Sequence, residues 1–170
     1  MTGDAESAAA LVAGIGNPLR GDDGVGPAVA ALVRGQGLPG VQVAELHADP
    51  LALLDLWEGR RPVVLVDAVC SGEAAGTLVE VDLRRHLLPR TATASTHGFG
   101  LADVVELGRA LGRLPAGLVF VGVELGGVAG GAELSEPVRA GVREAAKRVG
   151  ELVLAHGHAD GDAPVRVADG

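Results

Sequence analysis

The chain has 170 residues, 48% of them apolar, with 14 Lys and Arg against 22 Asp and Glu, a formal net charge of −8. That length suits one domain with a sizeable core, and the negative charge opposes the phosphate backbone on which nucleic-acid affinity rests. Only three aromatic residues, Trp57, Phe99 and Phe120, are present, too few for a base-stacking platform, and a mean hydropathy of +0.32 excludes a disordered chain.

Residues 1–7 are polar and are expected to be disordered. Residues 8–14 form a short apolar run that enters a glycine-rich turn, the pattern of a buried strand. Val25, Val29, Leu32 and Val33 then recur at helical spacing over about 24–34, and Gly35-Gln36-Gly37 stops the helix. Residues 41–46 read as a second strand. Asp49 is placed to cap a helix with Pro50 at its first position, where a missing N–H costs little, and Leu51, Leu54 and Trp57 are expected to line it. Residues 63–66 are continuously apolar and β-branched, as in a strand buried on both faces.

A fourth strand is predicted over 76–81, paired beside the third, and residues 84–96 form a connection. Leu101, Val104, Val105, Leu107 and Leu111 trace a helix that Gly112 ends. Residues 117–123 read as a fifth strand, and 126–133 hold four glycines in a loop. Ser135 can cap a last helix whose apolar face is Val138, Val142, Ala145, Val149 and Leu152. The polar tail over 157–170 is expected to be disordered, which leaves a single domain over 8–156. Strands alternating with helices predict an α/β fold: three layers, with a twisted, mostly parallel five-stranded sheet sandwiched between helices.

In such sheets ligands sit beyond the carboxyl ends of the strands. After the first strand comes the stretch Gly14-Ile15-Gly16-Asn17-Pro18-Leu19-Arg20-Gly21-Asp22-Asp23-Gly24. It is a poor dinucleotide turn, because Asp22 and Asp23 occupy the helix N-terminus where a pyrophosphate would sit. Two carboxylates there are favoured by the helix dipole and suit a cation; alternatively they only cap the helix. Asp67 ends the apolar third strand, where an acid is costly unless it is solvated, paired or metal-bound. It is either a turn cap or functional. His97 lies beside Gly98, which leaves room for a ligand to approach. Asp23, Asp67 and His97 all fall in loops at the same end of the sheet, 44 and then 30 residues apart. Two carboxylates and an imidazole suit Ni, Zn, Mn or Fe and leave coordination positions open.

The strings GIGNPLRGDDGVG, VLVDAVCSG, STHGFGL and LSEPV resemble the hydrogenase maturation protease family, across about residues 11–154. The resemblance implies a twisted sheet sandwiched by helices. It also implies an endopeptidase that removes a short C-terminal peptide from the nickel-loaded precursor of a nickel–iron hydrogenase large subunit. By the same resemblance, the residues that meet the nickel are Asp23, Asp67 and His97, as both metal-binding and catalytic residues. The metal is then nickel carried by the precursor, with no tightly bound metal of the protein's own. One departure stands in the loop after the second strand: many members have an aspartate followed by glycines, and here the chain reads Leu46-His47-Ala48-Asp49-Pro50.

Three other readings compete. A nickel-binding chaperone or inspection factor would use the same residues without cleavage. A general zinc peptidase would hold its own metal, although the helical His-Glu-x-x-His arrangement is missing. Nucleotide binding is opposed by the acid pair. Glu124, at the end of the fifth strand, is either a partner holding His97 in place or a loop cap. Cys70 has no identifiable partner base for catalysis, and as the single cysteine it forms no intrachain disulfide. Together with an acidic rather than basic N-terminus and the lack of an apolar run of about 18 residues, this leads us to expect a cytoplasmic monomer, with no nucleic-acid or membrane partner.

Overall fold

A computed structural model describes residues 9–47, 49–88, 99–126 and 133–157. The expectations for 1–7, for most of the 157–170 tail and for His97 therefore lie outside the described residues. Five strands form one sheet in the order β2-β1-β3-β5-β4: β1 is Ala10–Ile15, β2 Val41–Leu46, β3 Val63–Val69, β4 Leu78–Asp82 and β5 Leu118–Glu124. The helices are α1 (Val25–Gly35), the short α2 (Leu53–Leu56), α3 (Leu101–Ala110) and α4 (Glu136–Gly157). A 3-10 turn over Gly21–Gly24 precedes α1 and another over Pro50–Ala52 precedes α2.

The sheet is parallel except that β4 runs antiparallel to β5. The predicted pairing of β4 beside β3 is thus corrected. Both edges of β3 are taken, by β1 and β5. The connection from β3 to β4 is also too short for the dozen or more residues that a parallel crossover needs, so β4 turns back along the outer edge of β5.

Every residue of β1 and β3 is buried. Alternation sends Val12, Val64, Val66 and Val121 to the face covered by α1 and α4. Leu11, Leu65, Val69 and Phe120 go to the opposite face, with Trp57, Val104 and Val105 from α2 and α3. Asp49 caps the turn before α2 by accepting from the Leu51 N–H at 3.0 Å, as expected. Leu51 itself is exposed, while Leu53, Leu54 and Trp57 are buried. The first turn is a 3-10 turn, which rotates Leu51 away from the core and brings Leu53 in.

Gly26 sets the geometry at the front of the sheet. A Cβ there would collide with the Ile15 carbonyl and lie 2.7 Å from that of Val66. The missing side chain lets α1 begin directly against β1 and β3. The acid turn before α1 is thereby held over the end of β3.

Candidate functional site

The turn that carries Asp22 and Asp23 is shaped by its own backbone. Gly16 adopts a φ of +136°, and a Cβ there would overlap the Asp23 carbonyl, so a larger residue would push the turn off the sheet. Asn17 braces it by accepting from the Leu19 N–H at 2.9 Å, and its own N–H donates to Asp23 Oδ2 at 3.3 Å.

The two aspartates diverge in role. Asp22 points toward the start of α4: Oδ2 accepts from the Gly126 N–H at 3.1 Å and the Ser135 hydroxyl at 3.2 Å, and Oδ1 from the Ser135 N–H at 2.9 Å. It ties the front turn to the segment between β5 and α4. Among the described residues the Asp23 carboxylate has one long contact, from the Asn17 N–H, and its charge reaches Asp67.

Asp67 sits inside β3 rather than after it, because the strand runs on to Val69. The sequence pattern ends that strand at Val66; the correction places a carboxyl within the sheet itself. Asp67 is 2% exposed. Its Oδ1 accepts from the Ala68 N–H at 2.8 Å, while Oδ2 is buried and has no hydrogen-bond partner among the described residues. Its register neighbour on β5 is Gly122, which has no side chain to offer. Burial pushes the carboxyl from its ordinary 3.8 up to about 8; the Ala68 N–H opposes the rise and the Asp23 charge adds to it. A carboxyl buried without a partner for one oxygen among the described residues is costly to the fold, and once deprotonated that oxygen could accept a cation.

His97 lies outside the described residues. The described chain resumes at Phe99, and α3 starts at Leu101, packed on the face to which alternation also turns Asp67. Among the described residues, no three His, Cys, Asp or Glu side chains form a group able to hold a metal ion.

Glu124 is a loop cap. It is 2% exposed, and its carboxylate accepts from the Ser71 N–H at 2.9 and 3.1 Å, the Ser71 hydroxyl at 2.7 Å and the Gly72 N–H at 3.0 Å. Both oxygens are spent on the loop that follows β3. Cys70 opens that loop and is exposed. In the departing loop, His47 Nδ1 lies 3.0 Å from the Gly16 carbonyl oxygen, so it braces the front turn from the β2 side, and Asp49 is spent on its cap. The anchoring roles of Asp22 and Glu124 are hidden in the sequence: no local spacing links residue 22 to 135, or residue 124 to 71.

These contacts make the carboxyl ends of β1, β3 and β5 one mutually braced unit. Replacing Asp22 by Asn puts an NH2 donor in place of one acceptor oxygen, against the donors that this oxygen now serves. It is expected to cost about 1–2 kcal/mol of stability, read as a lower thermal midpoint, with the chemistry of Asp23 retained.

The hydrogenase maturation protease (HycI) family model matches residues 28–152 of the chain, a span that contains Asp67 and His97 and begins just after Asp23. A curated relative, Protein FrxA of Pyrococcus furiosus, is 34% identical over 139 residues, covering 79% of this chain and 94% of that protein. Among solved structures, HybD from E. coli, a hydrogenase maturating endopeptidase, superposes with a TM-score of 0.68 at 25% identity, over 90% of this chain and 94% of its own. A [NiFe] hydrogenase maturation protease HycI from Thermococcus kodakarensis gives 0.67 at 25% identity, over 88% and 95%. Hydrogenase 2 maturation peptidase from a Thaumarchaeota archaeon gives 0.63 at 28% identity, over 84% and 96%. The family match over most of the chain and the likeness of fold converge, and the chain belongs to the hydrogenase maturation protease family.

Proposed function

We propose that the protein is an endopeptidase that removes a short C-terminal peptide from the nickel-loaded precursor of a nickel–iron hydrogenase large subunit. In this proposal Asp23, Asp67 and His97 meet the nickel that the precursor carries. The observation that carries the proposal is the buried Oδ2 of Asp67, without a hydrogen-bond partner among the described residues and within reach of the Asp23 charge. A family of peptidases has little other use for a carboxyl kept this dry. Membership of the family supports the class of reaction, and the Asp67 environment supports a cation as the thing recognised.

The chain's own residues have separate tasks. Asp23 presents a carboxylate at the sheet's carboxyl edge, Asp67 offers a buried carboxyl that must lose its proton to meet a cation, and His97 adds an imidazole by resemblance to the family. Asp22 and Glu124 hold the loops on which the acids depend, so that little reorganisation remains when the precursor arrives. Fixing the scissile bond beside its attacking water removes much of the entropic part of the barrier. Selectivity follows from the same contact, because a precursor without nickel lacks the anchor.

The test is incubation with nickel-loaded and nickel-free precursor, followed by mass spectrometry. The expected result is loss of a C-terminal peptide from the loaded form and at least about 100-fold slower loss from the nickel-free form, a difference of roughly 2.7 kcal/mol in the barrier. Equal cleavage of both forms would remove nickel from the scheme. Binding of the loaded form without any fall in mass would favour the inspection factor.

A further inference from the structure

Helix α1 has an unusual surface. Its sequence, VGPAVAALVRG, contains one charged residue, Arg34. Val25, Val29, Ala30 and Val33 face the core, yet the outward positions are apolar as well: Ala31, Leu32 and Gly35 are exposed and Ala28 is half-buried. A helix that is apolar on all sides is normally covered on all sides. Arg34 does not screen this face, because its guanidinium is drawn aside to Glu45 at 2.9 Å.

The uncovered face borders a furrow of about 670 Å³ between α1 and α4. Its floor is tied by the Gln36 side-chain amide, which donates to the Ala146 carbonyl at 3.2 Å. Leu32 and Leu154, 44% and 46% exposed, stand on its walls. Arg143 and Lys147, one turn apart on α4, also line it. Among the described residues neither has an ion pair, although Arg139 and Arg148 of the same helix are paired with Glu136 and Glu80. Glu151 lines the furrow as well, but it is held by Arg148 at 3.3 Å; in a chain of net charge −8, the two cations without an ion pair among the described residues favour a partner that brings carboxylates.

The furrow also has a direction. A second hollow, of about 310 Å³, shares Ala31 with it and reaches Pro18, Gly21 and Gly24, in the turn that carries Asp23. Together they follow α1 for on the order of 20 Å, the reach of about six extended residues.

We propose that this strip, from the Asp23 turn along α1 to the α1–α4 furrow, is a docking surface for the hydrogenase precursor. Its occupant is an extended precursor segment that sets apolar side chains against Leu32 and Leu154 and a carboxylate against Arg143 and Lys147. The inference rests on the processing activity proposed above. The second hollow reaches the turn that carries Asp23, so a partner whose metal meets Asp23 stands at the start of the strip. A second copy of the chain seated on the strip would instead block the Asp23 turn.

The test uses the full chain with Leu32→Glu, and separately with Arg143→Glu combined with Lys147→Glu. All three positions are exposed, so the variants are expected to fold, as circular dichroism will report. For nickel-loaded precursor, KM is expected to rise at least 10-fold in each variant with kcat within twofold of wild type. Affinity for nickel-free precursor, read by calorimetry without turnover, should fall by a similar factor. Wild-type KM and wild-type affinity in both variants would overturn the inference. So would a wild-type dimer that Leu32→Glu dissociates without changing KM, since a second copy would then cover the strip. Release of the strip by deletion of residues 158–170, again at constant KM, would assign it to the chain's own tail. If wild type fails to cut the loaded precursor, the proposed activity falls, and the binding arm still decides the docking surface.

Discussion

Asp67→Asn is expected to abolish processing and, at the same time, to stabilise the protein. The Asp67 carboxyl is buried, one oxygen has no partner among the described residues, and its pKa stands at about 8 against 3.8 ordinarily. Between those two values the folded chain holds a proton that the unfolded chain has released. Stability contributed by this group therefore falls as pH rises from about 4 and reaches its minimum above about 8, where both states are ionised. Each tenfold difference in proton affinity between the two states is worth about 1.4 kcal/mol, so the penalty at alkaline pH is of the order of several kcal/mol.

Asn keeps the shape and the acceptor for the Ala68 N–H but carries no charge. The variant should melt at least about 5 °C above wild type at pH 8.5, with the gain shrinking toward pH 4. Thermal melts across that range check the sign. Processing should drop at least 100-fold in the variant. In wild type, kcat/KM should climb with pH to about 8 and then level, because a proton on Asp67 competes with the precursor's nickel. A variant that melts lower than wild type at pH 8.5 would show that Asp67 is a structural acid. Stability set aside at such a position is what a recognition site requires.

Glu124→Ala is expected to be the most damaging substitution outside the acid pair. Four hydrogen bonds from Ser71 and Gly72 converge on this carboxylate, and its removal leaves the start of the loop after β3 without its side-chain anchor. Bonds to charged groups contribute about 1.5–3 kcal/mol each, with partial recovery where water enters. A total loss of about 3 kcal/mol is therefore expected in urea unfolding.

At 20 °C, where the variant remains folded, processing should still fall about 10-fold, because Asp67 and the loop share a strand and the loop's position sets the strand end. Glu124→Gln retains one acceptor oxygen and should recover more than half of the loss in both measurements. Full activity in folded Glu124→Ala would show that the cap serves stability alone.

Much of this architecture is legible in the sequence, and particular residues explain why. The bounds predicted for β2 match those observed, because a short apolar run between turn residues has few alternatives. The ends of α1 and α3 are marked by Gly37 and Gly112, both at positive φ, a conformation that local chemistry announces. The predicted β3 stops short at Val66 because a carboxylate normally ends an apolar strand; here the strand continues through Asp67 at a cost the fold tolerates. The pairing predicted for β4 is with the wrong strand, since pairing is decided by which edges remain free once β5 has crossed over.

The candidate site divides in the same way. Asp23, Asp67 and His97 are visible as residue types at strand ends, and the motif resemblance selects them from other polar residues. Local sequence by itself determined where chemistry-bearing residues would sit along the chain, because turns, caps and apolar runs are short-range effects. Only the tertiary structure decided that Asp22 belongs to Ser135, that Glu124 belongs to Ser71, and that Asp67 is buried within reach of the Asp23 charge. Those are contacts between residues far apart in the chain, set by which strands become neighbours and by how closely Gly26 lets α1 approach the sheet.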